Sequence, residues 1–188
     1  MLAAADRLFA ASDVPGNVTM DAIAAAAGVG KGTLFRAFGS RDGLLDVLWA
    51  SKIAALREEV ERGAPPFEAA TTPEERLVAF LDAVLTFKLD NRHLIRAREV
   101  GAGLLQSPHY RWMHKIAQTL IEDATSPTTA DDSLYVAHAL LASLHIDLID
   151  ELLASGLSLQ AIRRAQAMRV RAVVDHAGSG CAKRSDRR

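Results

Sequence analysis

The sequence has very little cysteine and no excess of charge of either sign. Cys181 is the single cysteine among 188 residues, so no disulfide can form within the chain and a secreted disulfide scaffold is excluded. The 22 Lys and Arg are nearly balanced by 23 Asp and Glu, and this balance by itself gives no sign of a nucleic-acid partner. Because 49% of the residues are hydrophobic, the chain can bury a core, and wholesale disorder is excluded. These features predict a folded cytoplasmic protein.

Long apolar runs and strand patterns are missing as well. The charge-free stretch from Ser133 to Ile146 is shorter than the roughly 20 residues that a membrane-spanning helix requires. The first residues include Asp6 and Arg7 and lack the basic start of a secretory signal. No sustained two-residue alternation occurs, and no Asn-Gly or Asp-Gly hairpin lies between β-branched runs. We therefore expect no membrane segment, no signal peptide and no β-sheet.

The sequence instead places Ala, Leu, Arg and Glu at three- and four-residue spacing, which is typical of helices. We predict an all-α fold of about nine helices, separated by Gly, Pro, Asn and Ser. A compact N-terminal unit should be followed, after a connection at residues 63–72, by a larger helical one. The predicted helices are Leu2–Ala11, Met20–Ala27, Lys31–Phe38, Arg41–Arg62, Pro73–Asp90, Arg92–Leu105, Pro108–Ala124, Ala130–Ala154 and Ser158–Ala177.

The stretch from Thr19 to Leu45 carries most of the functional information. Two short helices joined by a turn at Gly28 follow the plan of a helix-turn-helix. Thr19 is suited to cap the first of these helices, and Ser40 is suited to cap the helix that follows the pair. Ala24 is small enough for the two helices to cross closely. The residues with the spacing to fill the space between the helices are Val29, Leu34 and Phe38.

The second helix of this pair presents basic and polar side chains outward. From Gly28 to Arg41 there are three cations and no acid, so the balanced charge of the whole chain conceals a local positive surface. Lys and Arg suit phosphates and guanine edges, Thr offers a hydroxyl, and a glycine allows close backbone approach. The alternative interpretation is an alanine-rich core hairpin whose cations are simply solvated. The outward residues are Lys31, Gly32, Thr33, Phe35 and Arg36.

Residues 27–44 read AGVGKGTLFRAFGSRDGL. In this register the chain resembles the TetR family of bacterial transcriptional regulators, whose pattern is roughly A-G-V-S-K-G-T-L-Y-R-H-F-x-S-K-E-E-L. The likeness extends upstream into the first helix and covers about the first quarter of the chain. It implies that residues 1–45 form a DNA-binding domain, with the helix at 41–62 as the connection to the rest.

The resemblance also implies roles for single residues. Thr19 and Arg41 would hold phosphates, while Lys31, Thr33 and Arg36 would face the major groove. Phe35 stands where the family usually has a Tyr, so its ring would pack against a sugar or a thymine methyl without the hydrogen bond of the Tyr hydroxyl. Ala37 and Gly30 likewise replace the usual His and Ser, which leaves fewer polar contacts to DNA.

The predicted helix Ala130–Ala154 is apolar on two sides, and both sides need to be covered. The resemblance implies that the last two helices pair with those of a second subunit, so that a homodimer reads a palindromic operator. The alternative is that both sides belong to the core of the chain itself. The predicted interface residues are Leu134, His138, Leu141, Leu148, Leu152, Leu159, Ile162, Val170 and Val173.

Residues 46–177 are accordingly expected to form a ligand-binding and dimerisation domain, and residues 178–188 a disordered tail. The effector cavity would be largely apolar with a few orienting polar groups, and the alternative for each of its residues is plain core packing. The cations between residues 88 and 115 leave two interpretations open, an anionic ligand and a solvated face. The predicted ligand residues are Phe80, Phe87, Glu99, Tyr110, Trp112, Met113 and His145.

These expectations combine into a DNA-binding regulator, a repressor that a small-molecule effector releases from a double-stranded operator. One alternative is a DNA-binding regulator or architectural protein without an effector. Another is a helical enzyme, but no nucleophile and base pair or carboxylate pair stands out. The spacings of His109 from His114 and of His138 from His145 differ from the four residues of a helical zinc pair. We therefore predict no catalytic activity, no metal and no cofactor.

Overall fold

The computed structural model describes residues 1–63, 65–98, 104–125 and 130–182. These residues form ten α-helices and two 3₁₀ turns, at Pro15–Asn17 and Leu104–Gln106, which confirms the predicted all-α class. The helices are α1 (Leu2–Ala11), α2 (Met20–Ala26), α3 (Lys31–Phe38), α4 (Arg41–Arg62), α5 (Pro73–Asp90), α6 (Arg92–Ala97), α7 (Pro108–Ala124), α8 (Ala130–Ala142), α9 (Ile146–Ala154) and α10 (Leu159–Ala182).

The single helix predicted over Ala130–Ala154 is wrong, because the chain forms α8 and α9 with a break between them. At the break, His145 has the extended backbone of an N-cap, with φ −63° and ψ 132°. The Ser143 hydroxyl donates to the carbonyl of Leu140 at 2.6 Å, the local side-chain bond by which Ser competes with the helical pattern. The periodicity of apolar residues continues across the break, which is why the sequence alone did not reveal it.

Two other predicted helices end at different residues. The prediction of Arg92–Leu105 is wrong in length, because α6 ends at Ala97 and Arg98 adopts an extended backbone with φ −82° and ψ 126°. The last helix extends to Ala182, beyond its predicted end at Ala177 and into the segment predicted as a disordered tail.

The contacts within the chain divide it into two compact units. The first unit comprises Met1–Arg57 and Phe87–Leu104, and the second comprises Glu58–Thr86 and Leu105–Arg188. The first unit therefore contains α6, which packs against α1 and against the 3₁₀ turn at Pro15–Asn17. Leu94 and Ala97 of α6 are buried in the same core cluster as Phe9, Ile23 and Leu34. A segment from the middle of the chain thus completes the N-terminal core.

In the second unit, α7 packs against α8, and residues of α5 and α10 line one cavity. Phe80 and Trp112 pack edge to face, with ring centroids 6.0 Å apart. The guanidinium of Arg163 on α10 pairs with Asp82 at 2.8 Å and donates to the Thr86 hydroxyl at 2.8 Å, both on α5. Among the described residues, no helix is both long and apolar enough to cross a membrane.

Candidate nucleic-acid interface

The turn residues of the predicted helix-turn-helix take the predicted conformations. The Thr19 hydroxyl accepts from the backbone N–H of Ala22 at 3.2 Å and so caps α2, as the sequence predicts. Gly28 follows α2 with φ +65°, the left-handed conformation that glycine adopts at little cost. The Ser40 hydroxyl accepts from the N–H of Gly43 at 3.0 Å at the start of α4. These three residues set the direction in which each helix begins.

Beneath the turn, small and apolar residues hold α2 and α3 together. Ile23 and Ala24 of α2 and Leu34 of α3 are buried in one cluster, and Val29 and Phe38 pack against it. The role predicted for these residues as the filling between the helices is therefore confirmed. Because Leu34 is 0% exposed, the orientation of α3 about its own axis is fixed by the core.

The opposite face of α3 is open to solvent. The residues exposed on it are Lys31, Gly32, Thr33, Phe35, Arg36 and Ala37. Phe35 has 39% of its surface exposed, which is unusual for a large aromatic residue beside a well-packed core. Arg36 has no hydrogen bond or ion pair among the described residues that would hold it to the protein. The residues predicted to face the major groove are thus brought together on one accessible surface, which we call the α3 face.

One acid lies beside the α3 face. Asp21 of α2 pairs with the Lys31 ammonium at 2.7 Å, and both side chains are more than half exposed. The same ammonium lies 5.8 Å from the centroid of the Phe35 ring. Lys31 is therefore held over Phe35 and close to Asp21, so its positive charge is partly offset in the free protein.

Arg41 is placed differently from a residue that reaches for DNA. Its guanidinium donates to three backbone carbonyls: Nε to Val18 at 2.8 Å, Nη1 to Ala97 at 2.8 Å and Nη2 to Pro15 at 2.9 Å. The guanidinium carbon also lies 5.4 Å from the ring centroid of Phe9, which is fully buried. The side chain is directed into the first unit, where its donors bind backbone carbonyls rather than the phosphate that the resemblance implied for Arg41.

A second polar cluster links α1, α4 and α6, and it was missed in the sequence. The Asp6 carboxylate accepts from the Lys52 ammonium at 2.5 Å and pairs with His93 Nε2 at 2.9 Å. Burial raises the pKa of Asp6, but the hydrogen bonds and charges of Lys52 and His93 outweigh it, so the pKa lies below 3.8. Asp46 and Arg98 form a further ion pair between α4 and the residue after α6. Spacing gave no signal for these contacts because the partners are far apart in sequence.

The described members of the predicted ligand set make different contacts. Phe80 packs on Trp112, whereas Phe87 packs on Trp49 with ring centroids 5.0 Å apart. His145 is exposed beside Asp147, and Glu99 lies outside the described residues. Met113 is buried. A shared ligand site for these residues stays a prediction.

Tyr110 belongs to a stack of rings between α7 and α8. Its hydroxyl lies 2.7 Å from Nδ1 of His138, and the rings of His114 and His138 have centroids 4.0 Å apart. Burial and the neighbouring His114 lower the pKa of His138 below its ordinary value. Tyr110 and His138, predicted separately as ligand and interface residues, are thus neighbours within the chain.

The predicted interface residues differ in accessibility. Leu141, Ile162 and Val170 are buried within the chain, whereas Leu134 and Leu148 are exposed. Three others are half-buried: Leu152, Leu159 and Val173. Further exposed apolar residues of the second unit are Leu105, Tyr135, Leu157 and Met168. Exposed and buried members occur together, as expected where a helix packs on one side inside the chain and leaves another side open.

A cavity of about 250 Å³ lies between α5 and α10 in the second unit. Its walls are mostly aliphatic, and the Arg163 and Asp82 ion pair stands among them. None of the predicted ligand residues that the structure describes lines it. The lining residues are Val78, Leu81, Asp82, Leu85, Arg163, Arg164, Gln166, Ala167 and Val170.

Comparison with known proteins agrees with this geometry. Residues 1–48 match the family model of bacterial regulatory proteins of the tetR family. The fold is similar to the crystal structure of a TetR-like transcriptional regulator from Rhodococcus sp. RHA1, with a TM-score of 0.60 and 21% sequence identity over 90% of each chain. No curated protein matches the chain in sequence. Residues 1–48, which the structure folds as a helix-turn-helix with an open basic face, thus match the N-terminal domain of bacterial regulatory proteins of the tetR family.

Proposed function

We propose that the protein is a cytoplasmic transcriptional repressor that binds a palindromic operator as a homodimer and is released by a small molecule. The observation that carries this proposal is the α3 face, where two cations, a threonine, a glycine and an exposed phenylalanine lie above a rigid core. The major groove of B-DNA is wide enough to admit an α-helix such as α3.

Each side chain of the α3 face has a chemical task in this proposal. Lys31 and Arg36 donate to phosphate oxygens or to the O6 and N7 edge of guanine. Thr33 offers a hydroxyl, and the ring of Phe35 packs on a sugar or a thymine methyl. Thr19 keeps its hydroxyl proton available for a phosphate, because its capping bond uses the oxygen as an acceptor.

A homodimer is proposed because one recognition helix alone contacts too few base pairs to specify a site. A single short recognition helix contacts too few bases, whereas two such helices about 34–36 Å apart read two half-sites on one side of the duplex. The exposed apolar residues Leu134, Tyr135, Leu148, Leu157 and Met168 support a partner surface on the second unit.

The effector is proposed to occupy the cavity between α5 and α10. Its volume of about 250 Å³ lies just below the roughly 300–1,000 Å³ of typical ligand pockets, so it suits only a small ligand, and its aliphatic lining suits an apolar one. The guanidinium of Arg163 gives such a ligand one polar group to orient on. A regulator or architectural protein without an effector is the alternative, and it predicts no ligand in this cavity.

The first experiment selects duplexes from a random pool with the full chain and footprints the selected sequence. We expect a two-fold symmetric site and a sedimentation mass of a dimer. Lys31→Ala and Arg36→Ala should each weaken binding by about 1–3 kcal/mol at particular base pairs if they read bases. A monomer that binds a single half-site tightly, or wild-type affinity in both variants, would contradict the proposal.

The second experiment tests the cavity with 8-anilinonaphthalene-1-sulfonate, an apolar anionic dye. Ala167→Phe fills the cavity, while Ala165→Phe makes the same change at an exposed position of α10. Dye fluorescence should rise with wild type and Ala165→Phe and should stay low with Ala167→Phe. Equal fluorescence for all three proteins would remove the cavity as the effector site without affecting the assignment of the α3 face.

A further inference from the structure

Arg41 is the first residue of α4 and directly follows the Gly39–Ser40 turn that ends α3. Its three donors reach carbonyls of two other segments, the turn at Pro15–Val18 before α2 and the end of α6 at Ala97. The chain is thus held at the start of α4 and just before α2, on both sides of the helix-turn-helix.

Among the residues that the structure describes, the carbonyls that Arg41 binds have few other partners. Ala97 is the last residue of α6, so its carbonyl lacks an intrahelical donor, and the residue is 1% exposed. The Val18 carbonyl immediately precedes the N-cap of α2, and that of Pro15 accepts one backbone bond from Val18 at 3.2 Å. Buried carbonyls left without a donor destabilise a fold, so Arg41 satisfies a requirement of the domain itself.

We propose that Arg41 is a positioning residue for DNA binding, which acts by fixing the α3 face through these three carbonyls rather than by contacting a phosphate. The inference rests on the proposed use of the α3 face to read DNA. The stacking of the guanidinium on Phe9 and the fork geometry of its N–H groups make arginine specific for this position.

The two roles predict different outcomes for Arg41→Lys. A lysine ammonium replaces arginine at a phosphate contact, because it binds phosphate as a point charge. It cannot span three carbonyls that are placed for a planar fork. We therefore expect Arg41→Lys to bind the selected duplex about tenfold more weakly or worse, close to Arg41→Gln.

The salt dependence of DNA binding also distinguishes a phosphate contact by Arg41 from positioning of the α3 face. Loss of one phosphate contact lowers the slope of log K against log salt by about 0.9, whereas loss of positioning leaves the ion count of the remaining contacts unchanged. Arg41→Gln should keep the wild-type slope. Arg36→Gln, on the α3 face, is the comparison variant. Leu48→Ala controls for destabilisation, because Leu48 is buried in the same core.

NMR of the Arg41 side chain in the wild-type protein tests the inference without relying on the folding of any variant. The Nε–H of Arg41 should exchange slowly with water in the free chain and keep its NMR chemical shift when duplex is added. Wild-type binding by Arg41→Lys, a slope reduced by about 0.9 in Arg41→Gln, or a large shift of the Nε–H on adding DNA would each overturn the inference. If the wild-type chain selects no duplex, the proposed function fails, while the exchange rate still reports whether the three-carbonyl contact exists.

Discussion

The two units of the molecule use their polar residues in different ways. In the first unit, Arg41, Asp6 and Arg98 bind backbone carbonyls or charged partners across α1, α4 and α6, while the α3 face above them stays open. The second unit also contains such a pair, Arg163 with Asp82 between α10 and α5, but its histidine and tyrosine rings stack on one another and its cavity has mostly aliphatic walls. The first unit therefore presents an open basic face, and the second presents a space with mostly apolar walls.

This difference explains why function is easier to assign in the first unit. A surface that reads DNA needs particular side chains at particular helix positions, so residue types and spacing identify it. A cavity for a small molecule needs only volume and apolar walls, which ordinary core residues also supply. The predictions that follow test whether the two units differ in this way, beginning with the largest effect.

The largest expected effect distinguishes two neighbouring residues of α3, one that stabilises the core and one that is proposed to contact DNA. Leu34→Ala should lower the free energy of unfolding by about 2–5 kcal/mol, because Leu34 is fully buried in the first core. Phe35→Ala, at the next residue, should leave stability within about 0.5 kcal/mol and weaken DNA binding. Chemical denaturation and duplex titration measure the two effects. If both variants lose the same stability, the α3 face is part of the core and the assignment fails.

Glycines of the same helix-turn-helix provide the next test. A Cβ on Gly43 would lie 2.2 Å from the Phe38 carbonyl oxygen, so Gly43→Ala should destabilise the chain by about 1–3 kcal/mol as α3 and α4 are forced apart. Gly32→Ala meets no atom within 4 Å and lies inside α3, so it should stabilise the chain by about 0.5–1 kcal/mol. Thermal unfolding of both variants checks the opposite signs. A stabilising Gly43→Ala would show that the approach of α4 to α3 is looser than in this structure.

Features that depend on neighbouring residues could be predicted from the sequence, whereas contacts between distant residues could not. Caps and turns are local, so Thr19, Gly28 and Ser40 could be placed from their neighbours alone. The role of Arg41 could not, because its carbonyl partners lie up to 56 residues away and no periodicity links them. The break between α8 and α9 was also hidden, since apolar spacing continued through Ser143 and His145. Local chemistry predicted the α3 face, whereas the contacts that support it are between residues far apart in sequence.

Acid should affect the two units in different pH ranges. The pKa of His138 in the folded chain lies below 6.5, so its neutral form stabilises the second unit and this contribution is lost as the pH falls from about 6.5. The pKa of Asp6 lies below 3.8, so its contribution in the first unit is retained until the pH falls below that value. Unfolding midpoints between about pH 7 and 5 should therefore fall less in His138→Gln than in wild type. A slope that is unchanged in His138→Gln would contradict the prediction.

The smallest effect concerns the one acid that lies beside Lys31. In the free protein Asp21 offsets the charge of Lys31, and DNA must compete with this pair for the ammonium. Exposed ion pairs contribute about 0.2–1 kcal/mol, so Asp21→Asn should tighten binding to a random-sequence duplex by roughly 1.5- to fivefold with little change in stability. Asp90→Asn makes the same charge change at an exposed residue of α5 and should have a smaller effect. Fluorescence anisotropy at low salt resolves such differences, since screening weakens them as salt rises. Equal tightening by both variants would mean that only the net charge of the first unit matters and that the pairing of Lys31 does not.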